Sequence, residues 1–269
     1  MKVSRRAPGV SAGAAARADR ASELNLQPSG KSNSRLESGE LLKNELQEQR
    51  GGARVLVIFG PPGSGKGTQA KLLRDLLQIP HISTGDMLRE LTSHGDGLGV
   101  DAQSWMRSGR LVPDATVDGL VEERLDKPDC ALGAILDGYP RTVEQARSLE
   151  TLLRRLGMGQ LVIHLKVDYT KVIARIAGRR QCARCGLLYN LAANPPQEPG
   201  ICDRDGQPLV IRDDDRESVV RERLETYERQ TRPVLEFLSA SGWNVCEVEG
   251  SEASPAEILQ RIRECMVLR

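Results

Sequence analysis

The stretch RVLVIFGPPGSGKGTQAKLLRDLL, residues 54–77, decides the fold. Residues 55–59 are a continuous apolar run of strand length, with none of the alternation that marks a strand wetted on one side, so they predict a strand covered on both faces. Glycines and prolines follow, and then apolar residues at helical spacing. Within that turn, Gly60, Gly65 and Lys66 satisfy the G-x-x-x-x-G-K pattern of a phosphate-binding loop, in the strand-before, helix-after context the pattern requires. Glycines let successive amides turn inward toward a polyphosphate, the helix start adds free N–H groups, and a lysine supplies a point charge. Gly63, Ser64, Gly65, Lys66, Gly67 and Thr68 are therefore the candidate phosphate contacts. The hydroxyl that usually follows the lysine and binds magnesium is displaced by one place, from position 67 to Thr68, so the metal is expected to rest mainly on waters and phosphates.

Outward from this loop, candidate strands recur at HIS (81–83), AILD (134–137), LVIHLKV (161–167) and WNVCEVE (243–249), with helical patterns between them. Such alternation predicts an α/β fold, a three-layer α/β/α phosphate-loop architecture with a parallel five-stranded sheet. Residues 1–53 are rich in Ala, Ser, Gly and Arg and poor in aromatic and β-branched residues, a composition that buries too little to fold alone; a short marginal helix over 36–49 is the most they offer. The first eighteen residues carry four basic side chains and no acid, which fits an organelle transit peptide or a plain tail.

The 269 residues carry a formal net charge of +1, so no global field points to nucleic acid or to an anionic membrane, and anion binding has to be local. No run of eighteen apolar residues exists, and the N-terminus has no hydrophobic signal core. The expectation is a cytoplasmic, monomeric protein with no nucleic-acid or membrane partner, in which cysteines stay reduced. Cys130, Cys246 and Cys265 then read as small apolar fillers. His81, His94 and His164 show no partner pattern, and Trp105 and Trp243 need only packing roles.

GPPGSGKGTQA, ISTGDMLRE, SGRLVPD, DGYPRTVEQA, RIAGRRQCARCG and RDDDRESVVRERLETY, in that order, make residues 54–269 resemble the adenylate kinases, specifically the long-lid form common in bacteria. The resemblance implies a core (54–82, 113–177, 216–269), an AMP-binding arm (83–112) and a lid (178–215), and reversible transfer of the terminal phosphoryl of Mg-ATP to AMP giving two ADP. Such a transfer needs positioning and charge neutralisation and no general base, because the attacking AMP phosphate oxygen is already ionised. Arginine forks suit that task. By resemblance Arg89 and Arg141 hold the AMP phosphate, Arg175 and Arg179 lie over ATP, and Arg212 and Arg223 clamp the transferring group on AMP's side as the lid closes. Thr84 and Gln145 meet adenine, while the main chain of Arg110, Leu111 and Val112 and of Gly138, Tyr139 and Pro140 lines the AMP pocket. Leu188 and Tyr189 belong to the ATP side, Asp137 orders the waters around magnesium, and Asp86 is either a helper or the cap of a helix near Met87. Isolated arginines such as Arg154 and Arg229 read as solvated ion-pair partners. Two other readings stay open on the residues: a kinase that takes GTP as donor or another monophosphate as acceptor, and a non-catalytic nucleotide-binding or zinc-ribbon module.

CARCGLLYNLAANPPQEPGICDRDG, residues 182–206, contains Cys182 and Cys185, sixteen further positions, and then Cys202 with Asp205. This is zinc-ribbon spacing, and zinc accepts a carboxylate oxygen beside three thiolates. Gly186 and Gly206 allow the tight turns after each ligand pair. A structural zinc is the expectation, set against unliganded thiols or a disulfide; few basic or aromatic residues in the loop speak for a nucleic-acid finger.

Overall fold

A computed structural model of the chain describes residues 53–93 and 97–267. The expected unfolded segment, apart from Ala53, the marginal helix over 36–49 and His94 lie outside the described residues. Five strands form a wholly parallel sheet: β1 (Arg54–Phe59), β2 (His81–Ser83), β3 (Gly133–Asp137), β4 (Gly159–Lys166) and, after three strands elsewhere, β8 (Val245–Glu249). Their order is β2-β3-β1-β4-β8. All five lie within a residue or two of the stretches the apolar runs predict.

Side chains alternate across β1 and divide the core in two. Val55, Val57 and Phe59 point into one layer with Val117, Val121 and Leu125 of α4 (Asp114–Leu125), Leu149 and Leu153 of α5 (Val143–Leu156), and Val234 and Leu238 of α8 (Arg232–Ala240). Leu56 and Ile58 point the other way, onto Leu73 and Leu77 of α1 (Lys66–Leu77) and Ile258 and Ile262 of α9 (Pro255–Val267). Each of these β1 side chains is at most 3 % exposed, and full burial of such a residue is worth about 1.5–3 kcal/mol. Two-sided burial is why β1 reads as an uninterrupted apolar run.

Two excursions leave this core at the C-terminal ends of strands. One follows β2 and consists of α2 (Thr84–Ser93) and α3 (Gly97–Arg107). The other follows α6 (Tyr169–Ala177) and holds a three-stranded antiparallel sheet of β5 (Arg179–Cys182), β6 (Leu188–Asn190) and β7 (Leu209–Val210), in the order β6-β5-β7. The chain returns through a short 3-10 turn, Asp213–Asp215, to α7 (Glu217–Thr226). The two excursions lean together: Arg107 of α3 lies 3.5 Å from Asp213, and a Cβ on Gly109 would meet Glu222 of α7 at 3.1 Å.

Two expectations change here. Cys246 of β8 and Cys265 of α9 form a disulfide with Cα atoms 6.1 Å apart, rather than acting as apolar fillers. The reason is tertiary, since α9 packs across β8 and brings together two cysteines whose spacing carries no signal. Trp243 is buried in the core as expected, but Trp105 is 37 % exposed on α3. Arg154 pairs with Glu150 on a solvated face, as read from the sequence. No helix among the described residues is long and apolar enough to cross a membrane.

Candidate active site

Register sets the site. Ile58 of β1 and Ser83 of β2 both align with Asp137 of β3, so the loops leaving three neighbouring strands open on one edge of the sheet. That edge, outside the carboxyl ends of parallel strands and where successive connections part to either side, is where open α/β sheets bind ligands. The loop after β1 wraps under it. Gly63 has φ +81°, and a Cβ there would strike Ile176 of α6 at 2.7 Å, so only glycine lets this loop pack against the helix that leads to the second excursion. Lys66 begins α1 and folds back, donating to the carbonyls of Gly60 and Pro61 at 2.8 Å each. Gly65 precedes the helix with no side-chain cap, which leaves the first-turn amides to face a ligand. Ser64 is fully buried, whereas Thr68 is exposed.

Positive charge converges on this loop from four directions: Arg89 of α2, Arg141 after β3, Arg179 and Arg212 at the two ends of the antiparallel excursion, and Arg223 of α7. Burial, joined by repulsion from Arg141, Arg223 and Arg179 and opposed by Asp137, brings the Lys66 ammonium down to about 7 from an ordinary 10.5. Burial and the neighbouring Arg223 and Arg89 bring Arg141 down to about 10. Arg212 is lowered to about 10 by burial, Arg89 and Arg179, and Arg223 is lowered by burial against the pull of Asp214 and Asp215. Such a cluster is uncomfortable alone and suited to several phosphate oxygens.

Carboxylates hold the cluster open. Arg223 Nη1 donates to Asp214 Oδ2 at 2.9 Å and lies 3.5 Å from Asp215 Oδ1, while Arg179 Nη1 donates to that same Asp215 oxygen at 3.2 Å. The Asp215 side chain is wholly buried, and burial raises its carboxyl despite the arginines. Arg212 Nε donates to Gln181 Oε1 at 2.6 Å, and Arg89 donates to Asp86 at 2.5 Å. Asp86 therefore serves Arg89 rather than capping: the helix starts at Thr84, and Ser83 Oγ accepts from the Asp86 amide at 3.2 Å. Asp137 has a partner the sequence did not suggest, His81, whose Nε2 lies 3.5 Å from its Oδ2. Burial acts to raise the Asp137 carboxyl, but His81, Lys66 and Arg141 together hold it below the usual carboxylate range.

Another wall of the site is built from the β3–α5 loop. Gly138 has φ +84°, and a Cβ on it would sit 2.8 Å from Arg141 Nη2 and 3.0 Å from Thr84 Oγ1, so glycine is what lets those two side chains meet its main chain. Thr84 Oγ1 donates to the Gly138 carbonyl at 2.9 Å, as does Arg141 Nε at 2.7 Å. The Tyr139–Pro140 peptide is cis, and the buried Tyr139 hydroxyl donates to Asp118 at 2.7 Å. Gln145 is buried beside them, with Oε1 accepting from the Arg141 amide. Val112 is buried in the core, Leu111 is half-buried and Arg110 exposed.

Two ATP-side candidates are placed differently from their neighbours. Arg175 gives its guanidinium to carbonyls, Gly250 at 2.8 Å, Ser251 at 3.1 Å and Ser64 at 3.5 Å, and so ties α6 to the phosphate loop and to the loop before α9. Leu188 and Tyr189 sit on β6, but the Tyr189 ring turns into the cysteine cluster: its hydroxyl accepts from the Asp203 amide at 2.8 Å and lies 3.6 Å from Cys202 Sγ. The Leu188 side chain is half-buried beside it.

At the far end of the same excursion, Cys182, Cys185, Cys202 and Asp205 bring their ligand atoms within 4.8 Å of one another. Cys185 and Cys202 sulfurs are 3.6 Å apart, and Cys182 Sγ is 3.3 Å from Asp205 Oδ1. Zn–S bonds of 2.3 Å give tetrahedral edges of about 3.8 Å, so the donor set and its spacing fit the ion. For Mg2+, the fit is in oxygen chemistry and room: Asp137 is anionic, and a Cβ at Gly67 would lie only 3.2 Å from its Oδ2. The glycine that displaces the usual hydroxyl thus keeps the space beside the carboxylate clear.

The sequence reading missed Asp214, Asp215, His81 and Asp114; the run RDDD was the one signal available for the first two. Comparisons with known proteins agree with the geometry. The family model described as adenylate kinase matches residues 58–243. An adenylate kinase of Moorella thermoacetica is 48 % identical over 205 residues, covering 76 % of this chain and 94 % of that protein. Those of Trichlorobacter lovleyi (47 % over 213 residues, 79 % and 99 % covered) and Bacillus velezensis (48 % over 191 residues, 71 % and 88 %) are similar. The family-model match spans the phosphate loop, the arginine cluster and the β3–α5 loop, and with relatives this similar the chain belongs to the adenylate kinase family.

Proposed function

We propose that Lys66, Asp137 and the arginines gathered on them are the phosphoryl-transfer centre of this adenylate kinase, which moves the terminal phosphoryl group of ATP to AMP and back. The supporting observation is the buried positive cluster itself, in which Lys66, Arg141, Arg212 and Arg223 all lie below their ordinary ranges. Phosphate oxygens supply the missing countercharge, so binding and charge compensation are one event. In this reading Gly63 to Thr68 cradle the ATP phosphates, with Arg179 over them and Arg175 bracing the loop. Arg89 and Arg141 hold the AMP phosphate, Arg212 and Arg223 stabilise the group in flight, and Thr84 and Gln145 meet the AMP base. Adenylate kinases use Mg2+ with ATP; bound here, the ion neutralises phosphate charge, and Asp137 would order its water ligands. Residues 83–112 serve as the AMP arm and 178–215 as a lid, and their closing excludes water. Cys182, Cys185, Cys202 and Asp205 would hold a zinc ion, which would supply a structural brace to the lid. One chain supplies every residue named, in keeping with a monomer.

A coupled assay of the full chain with ATP, GTP, AMP, CMP and UMP in all pairs tests the reading. Fastest ADP formation from Mg-ATP with AMP is expected, and faster turnover with GTP or a pyrimidine monophosphate would overturn the base assignments. Metal analysis after purification in metal-free buffer, expected to find one zinc per chain, tests the lid.

A further inference from the structure

Asp114, the first residue of α4, uses both carboxylate oxygens on the segment that carries Gln145. Its Oδ1 accepts from Gln145 Nε2 at 2.8 Å and its Oδ2 from Thr142 Oγ1 at 2.8 Å. Gln145 Oε1 accepts from the Arg141 amide at 2.7 Å, and the Gln145 amide donates to Thr142 Oγ1 at 3.1 Å, closing a ring of bonds around a residue that is 2 % exposed. An ionised carboxylate offers no hydrogen and a main-chain N–H no lone pair, so these two anchors admit one orientation of the Gln145 amide and oppose the flipped one. Beyond them, one N–H of Nε2 and one lone pair of Oε1 are left for a ligand.

We propose that Asp114 is a positioning residue for base selection, which fixes the Gln145 amide so that the acceptor site reads 6-amino purines and rejects 6-oxo purines. The proposal rests on the reading that Gln145 meets the AMP base. Adenine presents an acceptor at N1 beside a donor at N6, and the remaining N–H and lone pair of Gln145 match that pair. Hypoxanthine presents a donor at N1 and an acceptor at O6. To pair with it, the amide would have to turn over, setting Oε1 against the Asp114 carboxylate and Nε2 against the Arg141 N–H. Like would then face like in a buried place, and a site that leaves polar groups unpaired discriminates strongly.

The test compares AMP with IMP, which differ at this edge, in the full-length parent, Asp114→Ala, Asp114→Ser, Asp114→Asn, Gln145→Ala and the Asp114→Ala/Gln145→Ala pair. Dissociation constants come from calorimetry and kcat/KM from turnover with Mg-ATP. The Ala and Ser variants should narrow the AMP-to-IMP ratio by about tenfold, since one fixed anchor is lost. Asp114→Asn, whose Oδ1 still accepts from Nε2, should keep most of the ratio, and the double variant should match Gln145→Ala. An equal loss for both nucleotides, or an unchanged ratio in Asp114→Ala and Asp114→Ser while Gln145→Ala collapses it, would overturn the role of Asp114. An unchanged ratio in Gln145→Ala would instead overturn the assignment of Gln145 to the base.

Discussion

The phosphate-loop cleft, which Arg179 and Arg212 of the antiparallel excursion approach, and the cysteine knuckle inside that excursion collect groups of opposite chemistry. In the cleft, guanidinium groups and an ammonium are held together against their own repulsion, with Lys66 down at about 7 and Arg141 at about 10. In the knuckle, three thiols and a carboxylate bring their ligand atoms within 4.8 Å of one another, a donor set compatible with zinc. In the cleft the arginines are tethered by Asp214, Asp215 and Asp86. The knuckle gathers four candidate ligand side chains and is backed by the buried Tyr189. The lesson is that one molecule gathers cationic groups at one place and metal-ligand donors at another.

Predictions divide along that line. The largest effect falls on the cleft: Arg141→Ala and Arg223→Ala should each lower kcat by about 10²–10³-fold or more in steady-state assays, with far-ultraviolet circular dichroism unchanged. Losses below threefold in both would remove the cluster from the chemistry. On the other side, Cys182→Ser should lose zinc and melt several degrees lower, where each kcal/mol is worth about 2–4 °C, while turnover at moderate temperature is retained. Equal melting curves would leave the knuckle without a bracing role. Between the two regions, reduction of the Cys246–Cys265 bridge, or Cys246→Ser, should cost up to about 3 kcal/mol in urea unfolding and leave KM for both nucleotides alone, because the bridge closes a short loop behind the sheet. A changed KM would join that layer to the site.

A further predicted effect is a slope in pH. Lys66 in the folded, ligand-free protein gives up its proton near 7, whereas in the unfolded chain it keeps it to about 10.5. Between those values the unfolded state holds more protons, so the Lys66 contribution makes the ligand-free fold more stable as pH rises through that window. Urea midpoints at several pH values should show this component in the parent and lose it in Lys66→Met.

How much of this was legible in the residues varies with range. The sheet was, because strands buried on both faces leave apolar runs, and β1, β3 and β4 lie within a residue or two of those runs. The phosphate loop and the knuckle were too, because their chemistry is written in local spacing. What lay outside local reading was every device that joins distant segments. Asp214 and Asp215 stand in a run of three aspartates that looks solvated, yet their side chains are 15 % and 0 % exposed under the arginines. His81 meets Asp137 because β2 pairs with β3, and Cys246 meets Cys265 because α9 lies on β8. Tyr189 reaches Cys202 across the knuckle, its hydroxyl 3.6 Å from the sulfur, because β6 pairs with β5.

The most direct test of the central claim, that the cleft carries a positive charge unfavourable until nucleotide phosphates arrive, is the melting temperature of Lys66→Met and parent at pH 7, each with and without a non-hydrolysable ATP analogue plus AMP. Free of nucleotide, Lys66→Met should melt at or above the parent; with nucleotides the parent should rise further, and the order should reverse. A variant that melts below the parent when free, or gains as much as the parent from nucleotides, would contradict the account.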